Sequence, residues 1–368
     1  MNTQCGRSAA EPCGSGPARM AVLSLYLLLS LSALAQQPAA TFTQIDAPGA
    51  GTGGTVAVAV NASGVIAGEF LDAGNAYHSF VRSNAGDFTT IDVPGASTSP
   101  YQGTFAVGIN KAGVIVGSYI DANSVSHGYV RSASGRITIF DAPGAGTGAN
   151  QGTTGNSINI RGSIAGFYID GSNLGHSFVR AASGAITTFD APGQFTAAVT
   201  IAAGGAVVGI YIDAANVNHG FVRAADGTVT TIDAPGAGTG PYQGTFGECI
   251  NANGVVTGSY LDASNVNRSY VRSSKGTFNE FDVSGAGTGP FQGTTAGEIN
   301  QSRMILGYYV DASNVDHGFV RSPTGTITTF DAPGAAGSTY PTGLNTTGLI
   351  VGYFPDAAGS LHGFLRTP

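Results

Sequence analysis

The 368-residue chain has no tryptophan, three cysteines and three methionines, and only 10% of its residues are charged. Each scarcity removes a class of explanation. Cys5 and Cys13 fall in an N-terminal segment set aside below, which leaves Cys249 alone and excludes an intramolecular disulfide. Cys249 stands where most other copies of the repeat described below have Gly or Ala, and reads as a small, inert, buried residue. There is no basic run, and the formal net charge is −7, which argues against nucleic acid and anionic membranes as partners. No segment has helical periodicity long enough to matter.

The apolar run Ala21–Ala35 is too short to span a bilayer, for which about 20 residues are needed. It follows Arg19 and ends in Ala33-Leu34-Ala35 before Gln36, the small-x-small pattern of a signal-peptide cleavage site, with Met20 as an alternative start. Residues 1–35 are therefore assigned to a signal peptide and the residues before it, and 36–368 to a single domain. The expectation is export, to an extracellular or periplasmic location, with no membrane insertion after cleavage.

What the chain has in abundance is glycine, 57 residues, and self-similarity. One string returns seven times, with Asp46, Asp92, Asp141, Asp190, Asp233, Asp282 and Asp331 inside IDAPG, IDVPG, FDAPG or FDVSG. A second, G-x-[YF]-x-D followed by a polar stretch and H-[GS]-[FY]-[VL]-R, keeps the same beat. Repeats at this spacing decide the fold before anything else does. In the second copy Gly103–Asn110, Val114–Asp121, His127–Ser132 and Arg136–Asp141 are β-prone, separated by turn residues such as Ser134-Gly135 and Pro143-Gly144. The pattern predicts an all-β, seven-bladed β-propeller with four antiparallel strands per blade. Because the domain opens on a lone fourth strand, Thr41–Asp46, and ends after a third, His362–Arg366, the N-terminal strand is expected to pair with the C-terminal blade and remove both open edges.

The strings INKAGVIVGSY from Ile109 and HGYVR from His127 resemble the bacterial extracellular HAF repeat family. The resemblance covers nearly all of 41–368 and implies export and a propeller-like fold rather than a reaction. The chain departs from the pattern at Ala202, which replaces Asn, at Arg268, which replaces His, and at Arg303, which replaces the turn Gly.

All six histidines lie six residues after an aspartate: Asp72/His78, Asp121/His127, Asp170/His176, Asp213/His219, Asp311/His317 and Asp356/His362. Histidine with carboxylate suits a metal, but Asp262 faces Arg268 in the fifth copy, and arginine donates hydrogen bonds without ligating metals. These pairs are read as structural clasps across the hairpin, and no metal or cofactor is expected. Calcium on the DAPG carboxylates is the alternative to an Asx-type turn in which they cap backbone amides. Arg82, Arg131, Arg180, Arg223, Arg272, Arg321 and Arg366 recur at the ends of third strands, which suggests ion pairs or carbonyl contacts between blades.

Irregular positions remain. The loop into each first strand varies (GASTSPYQG, GAGTGANQG, GAGTGPYQG, GAGTGPFQG) and places Tyr101, Gln102, Gln151, Tyr242, Gln243, Phe291 and Gln292 as candidate ligand contacts around one mouth of the central channel. Aromatics beside amides suit a glycan or a protein surface. No catalytic residue is assigned. The expected function is an exported, monomeric, non-enzymatic binding propeller. Glu248 and Glu298 on first strands keep open a polysaccharide-acting enzyme, and a purely structural envelope or matrix protein is the third reading.

Overall fold

The computed structural model describes residues 40–368, so the signal-peptide assignment lies outside the described residues. Among the described residues there are 28 strands and no helix. They pair antiparallel in runs of four, in chain order. The second run is Thr104–Ile109, Ile115–Ile120, Ser126–Arg131 and Ile137–Phe140, within a residue or two of the bounds read from sequence. Thr41–Ile45 pairs with Leu361–Thr367, and Tyr340–Leu344 and Ile350–Pro355 complete that group. Neighbouring groups touch through single parallel bridges, such as Gly152 with Ser126 and Gly244 with Asn218.

The core lies between consecutive groups. One cluster joins Ile91 and Val93 of the first group to Ala106, Ile115, Tyr119 and Tyr129 of the second. Another joins Phe354 and Phe364 to Leu306 and Ala332 of the group before. The large aromatic two residues after each His, or after Arg268, is fully enclosed, as in Phe80, Tyr129 and Phe221. It lies over a glycine of the second strand. A Cβ on Gly209 would meet the Ala197 carbonyl and the Phe221 ring together, so the glycine is required by close approach and not by a turn.

Two side chains tie one repeat to the next. A buried Thr opens each first strand and accepts the backbone N–H that follows the DAPG aspartate, as Thr104 does from Val93 at 3.0 Å and Thr153 from Ala142 at 2.9 Å. Buried Asn closes each first strand except the fourth. Asn110 Oδ1 caps the amides of Ala112 and Val114, while its Nδ2 donates to the Asn159 carbonyl of the next group. Asn345 makes the corresponding contact with the Asn61 carbonyl at 2.9 Å, across nearly the whole sequence. Ala202 breaks the series as the sequence indicated, and its carbonyl still accepts from Asn159. Asn61 and Asn345 each open an Asn-x-Ser/Thr sequon, but burial at 5% and 4% exposure removes them as glycosylation acceptors.

Candidate functional site

The Asp–His pairs are parts of a three-residue unit. Pairing of Ser79 with Ile91 sets His78 directly across from Asp92, and His78 Nδ1 lies 2.6 Å from Asp92 Oδ1. The hairpin acid is the weaker partner, with Asp72 Oδ2 3.4 Å from Nε2. The other oxygen of Asp72 accepts the amides of Gly74 and Ala76, each at 2.8 Å. The expected clasp between hairpin aspartate and histidine is present, but the DAPG aspartate is the nearer partner, and the Asx-type turn expected of the DAPG aspartates is formed by the hairpin aspartates instead.

The unit recurs with little change. His127, His176, His219 and His317 lie 2.7–2.9 Å from Asp141, Asp190, Asp233 and Asp331, and 3.4–3.7 Å from Asp121, Asp170, Asp213 and Asp311. His362 reaches Asp46 at 2.7 Å and Asp356 at 3.4 Å, so the same unit links the two ends of the described chain. In the fifth copy Arg268 donates from Nη1 to Asp282 at 2.6 Å and from Nε to Asp262 at 3.3 Å. Each imidazole faces carboxylates from both ring nitrogens, and only the imidazolium can donate to both.

Burial lowers the His78 pKa, but Asp92 and Asp72 outweigh it and hold it above its ordinary value; the same balance, with Asp46 and Asp356, raises His362. The Ala76 amide above all, with His78 and Gly74, keeps Asp72 below the ordinary carboxylate value. Rings of Tyr119, Tyr168, Tyr211 and Tyr309 stack on the histidines at 4.8–5.0 Å. Among the described residues, no group of three or more His, Cys, Asp or Glu is placed to hold a metal ion.

The recurring arginines make no ion pair among the described residues. Arg131, Arg180 and Arg223 donate from Nη1 to the carbonyl of the very next residue. The contact between repeats is a cation–π one, with Arg180 over Phe140 at 4.9 Å and Arg223 over Phe189 at 4.7 Å.

The seven loop candidates divide into two kinds. The glutamines are occupied within the scaffold. Gln151, Gln243 and Gln292 accept a loop glycine amide with Oε1 and donate from Nε2 to Asn173, Asn265 and Asn314 in the next hairpin, and Gln102 donates to Ser124. The aromatics turn outward, with Tyr101, Tyr242 and Phe291 at 65%, 70% and 65% exposure. Their backbones are left-handed, with φ of 61°, 66° and 63°, fixed by a hydrogen bond from each amide to the hairpin before it, as from Tyr242 N to the Asn216 carbonyl at 2.7 Å. Tyr101 and Gln102 line a hollow of about 420 Å³ with Ile120, Ser124 and Asn150. None of the seven lines the cavity between the first strands. That cavity, of about 400 Å³, has Val58, Val107, Asn156, Val199 and Glu298 on its wall.

Cys249 is buried, but its thiol points to that wall, with Sγ 3.4 Å from Glu298 Oε2. Burial, then the charge of Glu298, pushes Glu248 up to about 7, and burial raises Glu298 as well. Glu69, on a second strand, is raised to about 7 by burial.

No protein-family model and no curated protein matches the sequence. Solved structures do resemble the fold. A streptogramin B lyase superposes with a TM-score of 0.56 at 12% identity, covering 89% of this chain and 98% of its own. Virginiamycin B lyase from Staphylococcus aureus gives 0.57 at 13% identity, over 89% and 100%. BP39L lectin from Burkholderia pseudomallei gives 0.52 at 9% identity, over 85% and 97%. At such identities the likeness establishes the fold alone: an all-β, propeller-type arrangement of repeated strands.

Proposed function

We propose that the chain is an exported, non-enzymatic binding protein of the HAF repeat kind, a seven-bladed propeller closed by its N-terminal strand, that takes a glycan or protein ligand on its loop face. Pairing of Thr41–Ile45 with Leu361–Thr367 and the Asn345-to-Asn61 contact support the closed ring.

One observation carries the binding reading. Tyr101, Tyr242 and Phe291 hold bulky, exposed rings in a left-handed conformation that side chains other than Gly, Asn and Asp adopt at a cost of about 1–3 kcal/mol. Asn150 fills the equivalent place in the third copy and fits that conformation with less strain. Three aromatics retained against this preference serve contact with a ligand better than they serve folding. The lectin and lyases of similar fold leave binding and catalysis both open by analogy, and the loop geometry supports binding.

The test is a screen of the mature protein on glycan and extracellular-protein arrays. Binding should fall about tenfold or more in at least one of Tyr101→Ala, Tyr242→Ala and Phe291→Ala with melting temperature unchanged, whereas Gln243→Ala should lower stability. Silent arrays, or binding indifferent to all three aromatics, would refute the reading.

A further inference from the structure

We propose that the cavity between the first strands binds a small organic cation, an ammonium group on a short aliphatic body, with Glu298 and Glu248 supplying the counter-charge. The proposal does not depend on the loop-face reading, because none of the loop candidates lines this cavity.

The wall is mostly aliphatic, with Val58, Val107, Ile158, Val199 and Leu344, and among the described residues it carries no Lys or Arg; Lys111 lines the adjoining cavity formed by the asparagine turns, which shares Ile158 and Leu344 with this one. The neutral polar side chains there already have partners in the backbone. Asn156 donates to the Ala198 carbonyl at 2.8 Å, Thr200 to that of Glu248 at 2.8 Å, and Thr342 to that of Ala57 at 2.6 Å. The two carboxylates differ. Among the described residues, Glu298 accepts only the weak thiol donor of Cys249, through one oxygen, and no hydrogen bond reaches the carboxylate of Glu248.

Register shows where Glu248 points. Each first strand carries a bulge, and in four of them the extra residue is Val58, Val107, Asn156 or Val199, all on the cavity wall. In the fifth the bulge falls between Gly247 and Cys249, so register gives Glu248 the same place in its strand and the same inward direction, next to the stretch of wall that Glu298 lines. Glu248 is half-buried and within the field of Glu298.

Two half-buried carboxylates this close together, one met only by a thiol, favour a cationic group beside them. A metal ion fits poorly: among the described residues no trio of ligating groups is present, and the cavity far exceeds a bare ion. Its volume falls in the ordinary range for small-molecule sites, about 300–1,000 Å³. Aliphatic walls around one anionic wall segment suit a molecule with an apolar body and a single cationic head.

Calorimetric titration of the mature chain with n-butylammonium near neutral pH tests this, with n-butanol as neutral isostere and calcium as the competing ion. We expect saturable one-to-one binding accompanied by proton release, read from two buffers of different ionisation enthalpy. Affinity should drop about tenfold or more in Glu248→Gln and in Glu298→Gln, and n-butanol should bind at least about tenfold more weakly. In the unmodified chain, the side-chain carboxyl NMR resonances of both residues should move to their ionised positions on saturation. Absence of saturable binding up to about 10 mM, an affinity unchanged in both variants, resonances that stay in place, or calcium binding without amine binding would each overturn the proposal.

Discussion

The rim hairpins and the wall between the first strands are built from the same repeat, yet they treat variation in opposite ways. At the rim, where the fifth copy replaces His with Arg268, the substitute makes both of the contacts that histidine makes elsewhere. At the equivalent bulge positions of the first strands three repeats hold valine, Val58, Val107 and Val199, but two others hold Asn156 and Glu248, an amide and an acid in place of an aliphatic side chain. A position that demands the same interaction after substitution belongs to the scaffold. A position that the scaffold leaves undetermined is open to a role of its own.

The comparison rests on a rigid common scaffold, so the largest effect should come from breaking that. Gly209→Ala drives a methyl group into the Ala197 carbonyl and the Phe221 ring, and should cost about 3 kcal/mol or more in denaturant unfolding, or prevent folding. A loss below about 1 kcal/mol would mean the repeats yield more readily than their packing implies.

At the wall the sign should reverse. A Glu248 carboxyl that keeps its proton to about 7 in the folded chain, but releases it near 4.5 when unfolded, makes stability fall as pH rises through that window. Glu248→Gln should therefore be more stable than the parent above neutrality, by up to about 3 kcal/mol, and lose the advantage in acid. Melting curves across pH check this; a destabilising effect at alkaline pH would place Glu248 among the scaffold residues.

The rim gives the smallest effects. His127→Ala should cost about 1 kcal/mol, and His127→Arg should restore most of it if the position requires only a double donor. For His78 the raised pKa gives a contribution fully present below its ordinary value of 6.5 and lost as pH rises through the raised one. The stability difference between parent and His78→Asn should accordingly shrink from acid to alkaline pH, and a difference that grows instead would contradict the imidazolium clasp.

Much of this was legible in the residues. The repeat period, the four strands and the pairing partner of Thr41–Ile45 follow from turn chemistry and β-prone runs, which are local. The Arg268 replacement also pointed correctly to hydrogen bonding at the rim. The recurring Thr at the head of first strands and the Asn at their ends were visible as patterns, but their bonds to neighbouring repeats were not. The second and nearer partner of His78 was missed because Asp92 lies 14 residues away, opposite it only through strand register.

Periodicity and turn residues by themselves determined an all-β chain of repeated four-strand units, because each unit's hydrogen bonding is satisfied within a short span of sequence. Only the tertiary structure decided which acid lies nearest each histidine, that the loop glutamines are occupied while the loop aromatics are exposed, and that Glu298 lines the cavity between the first strands with its charge felt by Glu248. Those outcomes depend on which side chains from different repeats come within a few ångströms of one another, a matter of register and packing between elements that no local pattern encodes.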